Sequence, residues 1–249
     1  MKQKTMQKIS DQIEFETMNA ATVVCLRKIC SKWQVLLGQN EVKNWLRSTE
    51  KSTVIMRYPG EWKFPGGVVE DADSTFRDTA IRELQEEFIG VGINSSNCTL
   101  HLLNCKLTRP IQGKSFHMHN FVAFQEENDW LNDGCLDENI NRNLVAKKNK
   151  FLAAVESGEF WTLSEDEKSA VSPEVHRVAW IDIDSAIEHM SAAESTPSCI
   201  EDDFQREEFA KYSVLCRDPM YQSSAVLRDI LGLGTKLAII AHASKNAKH

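Results

Sequence analysis

The segment Trp62-Lys-Phe-Pro-Gly-Gly-Val-Val-Glu-Asp-Ala-Asp73 leads, across Ser74–Ile81, into Arg82-Glu-Leu-Gln-Glu-Glu87. A double glycine after a proline lets the backbone turn tightly and bring a carbonyl close to a ligand without interference from a Cβ. Ser74 or Thr75 can cap the helix that follows. On a wheel of about 100° per residue, Ala80, Ile81, Leu84 and Phe88 share one apolar arc. Glu83, Glu86 and Glu87 fill the adjoining arc, on the boundary between core and solvent. Carboxylates at this spacing repel by a few tenths of a kcal/mol per pair on an exposed helix, and more where burial lowers the local dielectric. A hard divalent cation relieves the repulsion. It takes oxygen ligands, commonly one or two carboxylates together with substrate phosphates, and activates water against phosphorus. Taken alone, the glutamates read more readily as a solvated helix face.

Outward from this segment, Ala21–Leu26 and Trp33–Leu37 are apolar runs short enough for buried strands, and Ser52–Arg57 is a further strand candidate. Residues 75–88 carry the helical pattern, and strand-like runs return at Thr99–Thr108 and Phe116–Gln125. The stretch from Glu126 to Pro173 is long and polar, with an amphipathic piece near Leu144–Val155. Trp130, Phe160 and Trp161 bracket it, either as exposed aromatics of a lid or as anchors onto the body. Val175–Ile183 then alternates as a strand and runs into a helix at Ser185–Met190. Strands alternating with few helices imply an α/β class with a mixed sheet.

The combination Trp62-x-Phe-Pro-Gly-Gly67, Glu70 and Arg82-Glu-Leu-x-Glu-Glu87 closely resembles the Nudix box, Gly-x5-Glu-x7-Arg-Glu-U-x-Glu-Glu-x-Gly-U with U aliphatic. The flanks agree with it: a strand at Ala21–Leu26 before the box, and Glu174-Val-His-Arg-Val-Ala-Trp180 after it, like the family's last strand. The resemblance covers about residues 21–190 and implies a Nudix-type α/β/α sandwich with a mixed sheet. Residues 1–20 read as an N-terminal extension, about 126–173 as an insertion, and 191–249 as a helical C-terminal extension. That extension, with Phe204, Phe209 and Tyr212, covers a sheet face, makes a homodimer contact or binds a partner.

The resemblance also implies a site. Glu83, Glu86 and Glu87 would hold Mg²⁺ or Mn²⁺, with the Gly67 carbonyl as a further ligand, and Arg82 would orient a box carboxylate. The catalytic base in this family is either a box glutamate, here Glu83, or a residue in the loop before the final strand. Glu174 holds that place, ahead of Glu165 and Glu167. Two departures stand out. Asp73 occupies the position of the first box glutamate and Arg82 comes one residue late, as after a one-residue loop insertion. Ile89 replaces the last box glycine, and Gly90 follows it.

The implied activity is hydrolysis of a diphosphate linkage in a nucleoside diphosphate derivative, of the nucleotide-sugar or dinucleotide class. RNA 5′ ends are the runner-up substrate, and a binding module for RNA or protein is the alternative in kind. Arg57-x2-Gly60 before the box resembles part of the coenzyme A signature, one residue short, and Pro110 lies a few residues late for the ADP-ribose pattern. Arg57 and Trp62 are the substrate-binding candidates, Trp62 by stacking on a base or else by packing in the core. His117 and His119 share a strand face, as phosphate contacts or as ordinary surface residues.

The composition is consistent with this. A formal charge of −7 opposes bulk neutralisation of nucleic acid, although Lys147-Lys148-Asn149-Lys150 is locally basic. The seven cysteines form no CxxC pair and read as reduced thiols. With no apolar leader at the start and no run near the roughly 20 residues of a membrane span, the expected setting is cytoplasmic, with a nuclear or organellar one open.

Overall fold

Ala20 to Leu26 contain no charged residue, and the strand that carries them is buried on both faces. In the computed structural model, which describes residues 16–56, 60, 62–88, 90–107 and 114–186, this strand is β1 (Glu16–Ile29). It forms a hairpin with β2 (Lys32–Asn40), in register from Cys25↔Leu36 to Ile29↔Lys32. The two turn residues, Cys30 and Ser31, take φ of 47° and 72°, the left-handed values that a two-residue hairpin turn requires.

Beyond Leu36 the two strands part, and the glycine-rich segment enters the fork. β3 (Trp62–Lys63) pairs with Gly38 and Gln39 of β2, while β4 (Gly66–Val68) pairs with Ala20–Thr22 of β1. The Pro65 carbonyl between them accepts from the Val23 amide at 2.9 Å. A Cβ on Gly66 would overlap the backbone oxygen of Ala21, so only glycine fits that wedge.

On the far side of β1, β6 (Lys114–Phe124) runs parallel to it, and β5 (His101–Leu107) pairs antiparallel with β6. β7 (Val175–Asp182) pairs antiparallel with β2. The result is a seven-stranded mixed sheet of the expected α/β class. Ala21, Val23, Cys25 and Leu36 face one core, covered by α1 (Phe76–Glu87) and α2 (Leu136–Glu156). Val24, Leu26, Val35 and Leu37 face a second, which takes Trp62, Phe64, Ile183 and Ala186.

Several boundaries differ from the sequence expectations. β1 starts at Glu16, so residues 16–20 belong to the sheet. Ser52–Met56 joins no sheet strand: it makes isolated bridges, with Ser52 facing Thr49 and Ile55 facing Lys43, in a local loop tied by the Asn44 amide on the Val54 carbonyl. Residues 126–173 fold into α2, α3 (Glu165–Val171) and short 3-10 turns. Phe160 is fully buried and meets Phe151 edge-on at 5.0 Å, so this aromatic is an anchor. The chain is helical from Ile183 to Ala186. Residues 1–15, Arg57, Ile89, Pro110 and the C-terminal extension lie outside the described residues. Among the described residues no helix is long and apolar enough to cross a membrane.

Gly66→Ala is expected to destabilise the fold by roughly 1–3 kcal/mol, because its methyl must displace backbone rather than a side-chain tip. Urea denaturation measures this, and a neutral substitution contradicts the fork.

Candidate active site

α1 starts where Thr75 caps it, the Thr75 hydroxyl accepting from the Asp78 amide at 3.1 Å. Its apolar arc is buried as the wheel requires: Ala80, Ile81, Leu84 and Phe88 are at most 4% exposed. That docking fixes the rotation of the helix and brings Glu83 and Glu87 against the wedge. A Cβ at Gly67 would overlap the Glu83 carboxylate, so the second glycine is what lets Glu83 lie on the β4 backbone. The Gly66 amide donates to Glu87 Oε2 at 3.1 Å, and the Lys63 ammonium pairs with Glu87 Oε1. Glu86 faces outward, its side chain 57% exposed.

Arg82 organises the rest. It grips Asp73 with two nitrogens, Nε to Oδ1 at 3.2 Å and Nη2 to Oδ2 at 3.0 Å, and donates to the Val68 carbonyl at 2.9 Å. Its Nη1 reaches Glu83 Oε1 at 2.9 Å and Glu86 Oε2 at 3.1 Å, with Glu70 at 3.5 Å. Asp73, the residue standing at the first box position, thus becomes the arginine's bidentate partner. The extra residue is absorbed before the helix cap, and the helical register is kept. The Arg82 hydrogen bond holds the Asp73 carboxyl down at about 2, while Asp73, Glu83 and Glu86 hold the guanidinium above its ordinary range despite burial.

The carboxylates on α1 have the opposite character. Burial, then the charge of Glu87, pushes Glu83 up to about 7 against the pull of Arg82. Burial raises Glu86, with Glu70 and Glu174 adding to it, and burial raises Glu87, with Glu174 adding again. Glu174 is exposed just before β7, and its charge reaches both α1 carboxylates, so the loop and the helix meet at one place. Lys147 of α2 faces the same group through Glu174 and Glu86.

Among the described residues this network holds six carboxylates, Glu70, Asp73, Glu83, Glu86, Glu87 and Glu174, against three cations, Lys63, Arg82 and Lys147. With every carboxylate ionised, three negative charges would stay uncompensated. A divalent cation fits this deficit in charge and in ligand type. In position, Lys63 and Arg82 hold the carboxylate oxygens, and among the described residues no three acidic, histidine or cysteine side chains converge on one ligand point.

Two other candidates are placed differently. Trp62 is 6% exposed in the second core, its ring beneath the Arg177 guanidinium at 5.4 Å, so packing is its role there. His119 stacks on Phe76 at 3.5 Å between centroids and lies 3.3 Å from the Cys105 sulfur, under the start of α1. Lys63 and Glu41 carry no expectation from the sequence, and Lys147 only one as part of a basic stretch. The available signal was a lysine set between two core aromatics, Trp62 and Phe64, and lysines set between Leu144 and Phe151.

A mixed sheet carrying a carboxylate-bearing helix over a Gly-Gly strand is the class that fold and site define. Residues 42–141 match the family model of the NUDIX domain. That match takes in the glycine-rich segment, α1 and Glu83, Glu86 and Glu87. Among solved structures it is similar to an Ap4A hydrolase of C. elegans in a binary complex, at 17% identity and TM-score 0.36 over 79% of this chain and 95% of that one. It is also similar to the NUDIX domain of Shewanella oneidensis NrtR complexed with ADP ribose, at 12% identity and TM-score 0.40 over 73% and 82%. A third is a mutT/nudix family protein of Listeria innocua, at 13% identity and TM-score 0.36 over 69% and 82%. No curated protein matches the sequence.

A pH dependence follows from the raised Glu83. Its folded pKa, near 7, lies above the ordinary 4.5, so the native protein binds this proton more tightly than the unfolded chain. The contribution to stability is complete below about 4.5 and is lost as the pH rises through about 7. In EDTA the melting temperature is expected to fall across that window, and Glu83→Gln to reduce the fall. An identical slope in the variant contradicts the assignment.

Proposed function

We propose that the chain is a Mg²⁺- or Mn²⁺-dependent pyrophosphohydrolase acting on a nucleoside diphosphate derivative, of the nucleotide-sugar or dinucleotide class. One observation carries this reading: buried, mutually repelling carboxylates lie on a glycine backbone with too little positive charge around them. Glu83, Glu86, Glu87 and the Gly67 carbonyl would hold the cation, which supplies charge neutralisation of the diphosphate and a more acidic water. The chain's own contributions are distinct. Arg82, anchored by Asp73 and the Val68 carbonyl, holds Glu83 and Glu86 in place. Glu83, raised to about 7, is suited to take a proton near neutral pH. Glu174, on the loop before β7, is the second candidate base, and its charge is felt by Glu86 and Glu87.

A binding module without turnover is the second reading. The observation that favours it is Lys63 on Glu87 with Arg82 on Glu83 and Glu86, a set of pairs that satisfies the carboxylates without a metal. Mn²⁺ titration separates the two.

Glu86→Gln removes an exposed carboxylate and is expected to leave folding intact while lowering turnover by about 100-fold or more, with weaker Mn²⁺ binding. Glu174→Gln is expected to lower kcat with little change in Mn²⁺ affinity and to shift the pH–rate profile. Both are read against a panel of ADP-ribose, dinucleoside polyphosphate and RNA 5′ ends by product mass. Near-normal turnover in Glu86→Gln contradicts the metal assignment, and an unshifted profile in Glu174→Gln leaves the base at Glu83.

A further inference from the structure

Lys147 and Lys148 sit where the pattern of α2 calls for core residues. Ile140, Leu144 and Phe151 are buried at the spacing of one helix face, and the two lysines fall between Leu144 and Phe151 on that face. The helix is held firmly in this orientation. The Asn141 side-chain amide pairs with the free edge of β7, accepting from the Val178 amide at 2.8 Å and donating to its carbonyl at 2.9 Å. Asn143 closes against Gly90, leaving no room there for a Cβ.

Lys148 is fully engaged. Its ammonium lies 2.6 Å from the buried Glu41 carboxylate and 3.4 Å from His176 Nδ1. The Glu41 amide donates to the Glu174 carbonyl at 2.9 Å, which ties this buried cluster to the loop of the site. Lys147 is different. It is half-buried and makes no ion pair or hydrogen bond among the described residues. Burial pushes its pKa down, and the nearby charges of Glu174 and Glu86 draw it back up. A cation removed in part from water and lacking a direct partner is complementary to an incoming anion. On the hydrolase reading, the anion that comes beside Glu86 and Glu174 is the phosphate that arrives with the cations.

We propose that Lys147 is a substrate-contacting residue whose ammonium donates to a non-bridging oxygen of the diphosphate bound beside Glu83, Glu86 and Glu174. The assignment rests on the hydrolase reading above for the location of the diphosphate. It puts a phosphate contact on α2, outside the glycine-rich segment and α1. A lysine suits the task, since a compact rotatable ammonium follows a phosphate oxygen through a reaction without imposing a planar geometry. A mere counter-ion to Glu86 and Glu174 would behave otherwise, because deleting it would strengthen cation binding and leave anion binding unchanged.

The test uses the full chain and Lys147→Gln, with Lys147→Met keeping the apolar stem if the glutamine variant folds poorly. Mn²⁺ affinity is measured by calorimetry, then the affinity of the Mn²⁺-loaded protein for imidodiphosphate, a non-hydrolysable diphosphate, and finally KM and kcat on ADP-ribose. The expected result is imidodiphosphate binding weakened about tenfold, KM raised by a similar factor, kcat within a few fold and Mn²⁺ affinity unchanged or tighter. Lys147→Arg is expected to restore part of the binding. Unchanged imidodiphosphate affinity in the variant overturns the assignment while wild-type turnover upholds the hydrolase reading. Wild-type binding that depends on Lys147 without turnover of any diphosphate upholds the assignment and overturns the hydrolase. A wild-type protein that binds no imidodiphosphate overturns both.

Discussion

Two carboxylates, Glu83 and Glu87, are set into the edge of the hydrophobic core with less positive charge around them than they need. Water cannot screen them there, and their mutual repulsion is felt at a lower effective dielectric than on an open helix. The fold tolerates this because its other parts leave no alternative. The apolar arc of α1 docks on the sheet and fixes the rotation of the helix. The fork between β1 and β2 fixes the Gly66–Gly67 backbone beneath it. Arg82 and Lys63 relieve the strain in part, and the upward pKa shifts of Glu83, Glu86 and Glu87 record what they leave.

The two glycines have separate tasks within this arrangement. Gly66 serves the sheet, passing close to the Ala21 backbone, while Gly67 serves the site, giving Glu83 room to lie on the strand. Asp73 and Arg82 link the loop to the helix through a two-pronged pair, so loop geometry and carboxylate position are set together. The loop before β7 and the α2 helix complete the wall. Glu41, Lys148 and His176 form the buried knot that holds this wall to the sheet, and the hydrogen bond with His176 and the charge of Lys148 hold the Glu41 carboxyl below its ordinary value despite burial.

Much of this was legible in the chain because it rests on period and on local chemistry. The α1 arc follows from the helical repeat, while the cap was open between Ser74 and Thr75 and the boundary expected for the glutamates divides into buried Glu83 and Glu87 and exposed Glu86. The apolar runs at Ala21–Leu26 and Trp33–Leu37 lie inside β1 and β2. What could not be read depends on which strands meet. Trp62 and Lys63 point to opposite sides of a two-residue strand, and only the fork decides that the tryptophan enters the second core while the lysine meets Glu87. Of the 21-residue helix in the polar stretch after Glu126 only the amphipathic piece near Leu144–Val155 was legible, because its core face carries two lysines where hydrophobic residues are expected. Ser52–Met56 has strand-like composition, yet turn hydrogen bonds from Asn44 and Ser48 claim its backbone.

On the proposed hydrolase reading, the carboxylates on α1 are kept short of positive charge so that a cation can enter among them. A crystal of the full chain soaked with Mn²⁺ and recorded at a wavelength giving anomalous signal tests it directly. An anomalous peak is expected between the Gly67 carbonyl and the carboxylates of α1, with the Lys63 ammonium withdrawn from Glu87. A site without anomalous density, in which Lys63 and Arg82 keep their present partners at saturating Mn²⁺, would contradict it.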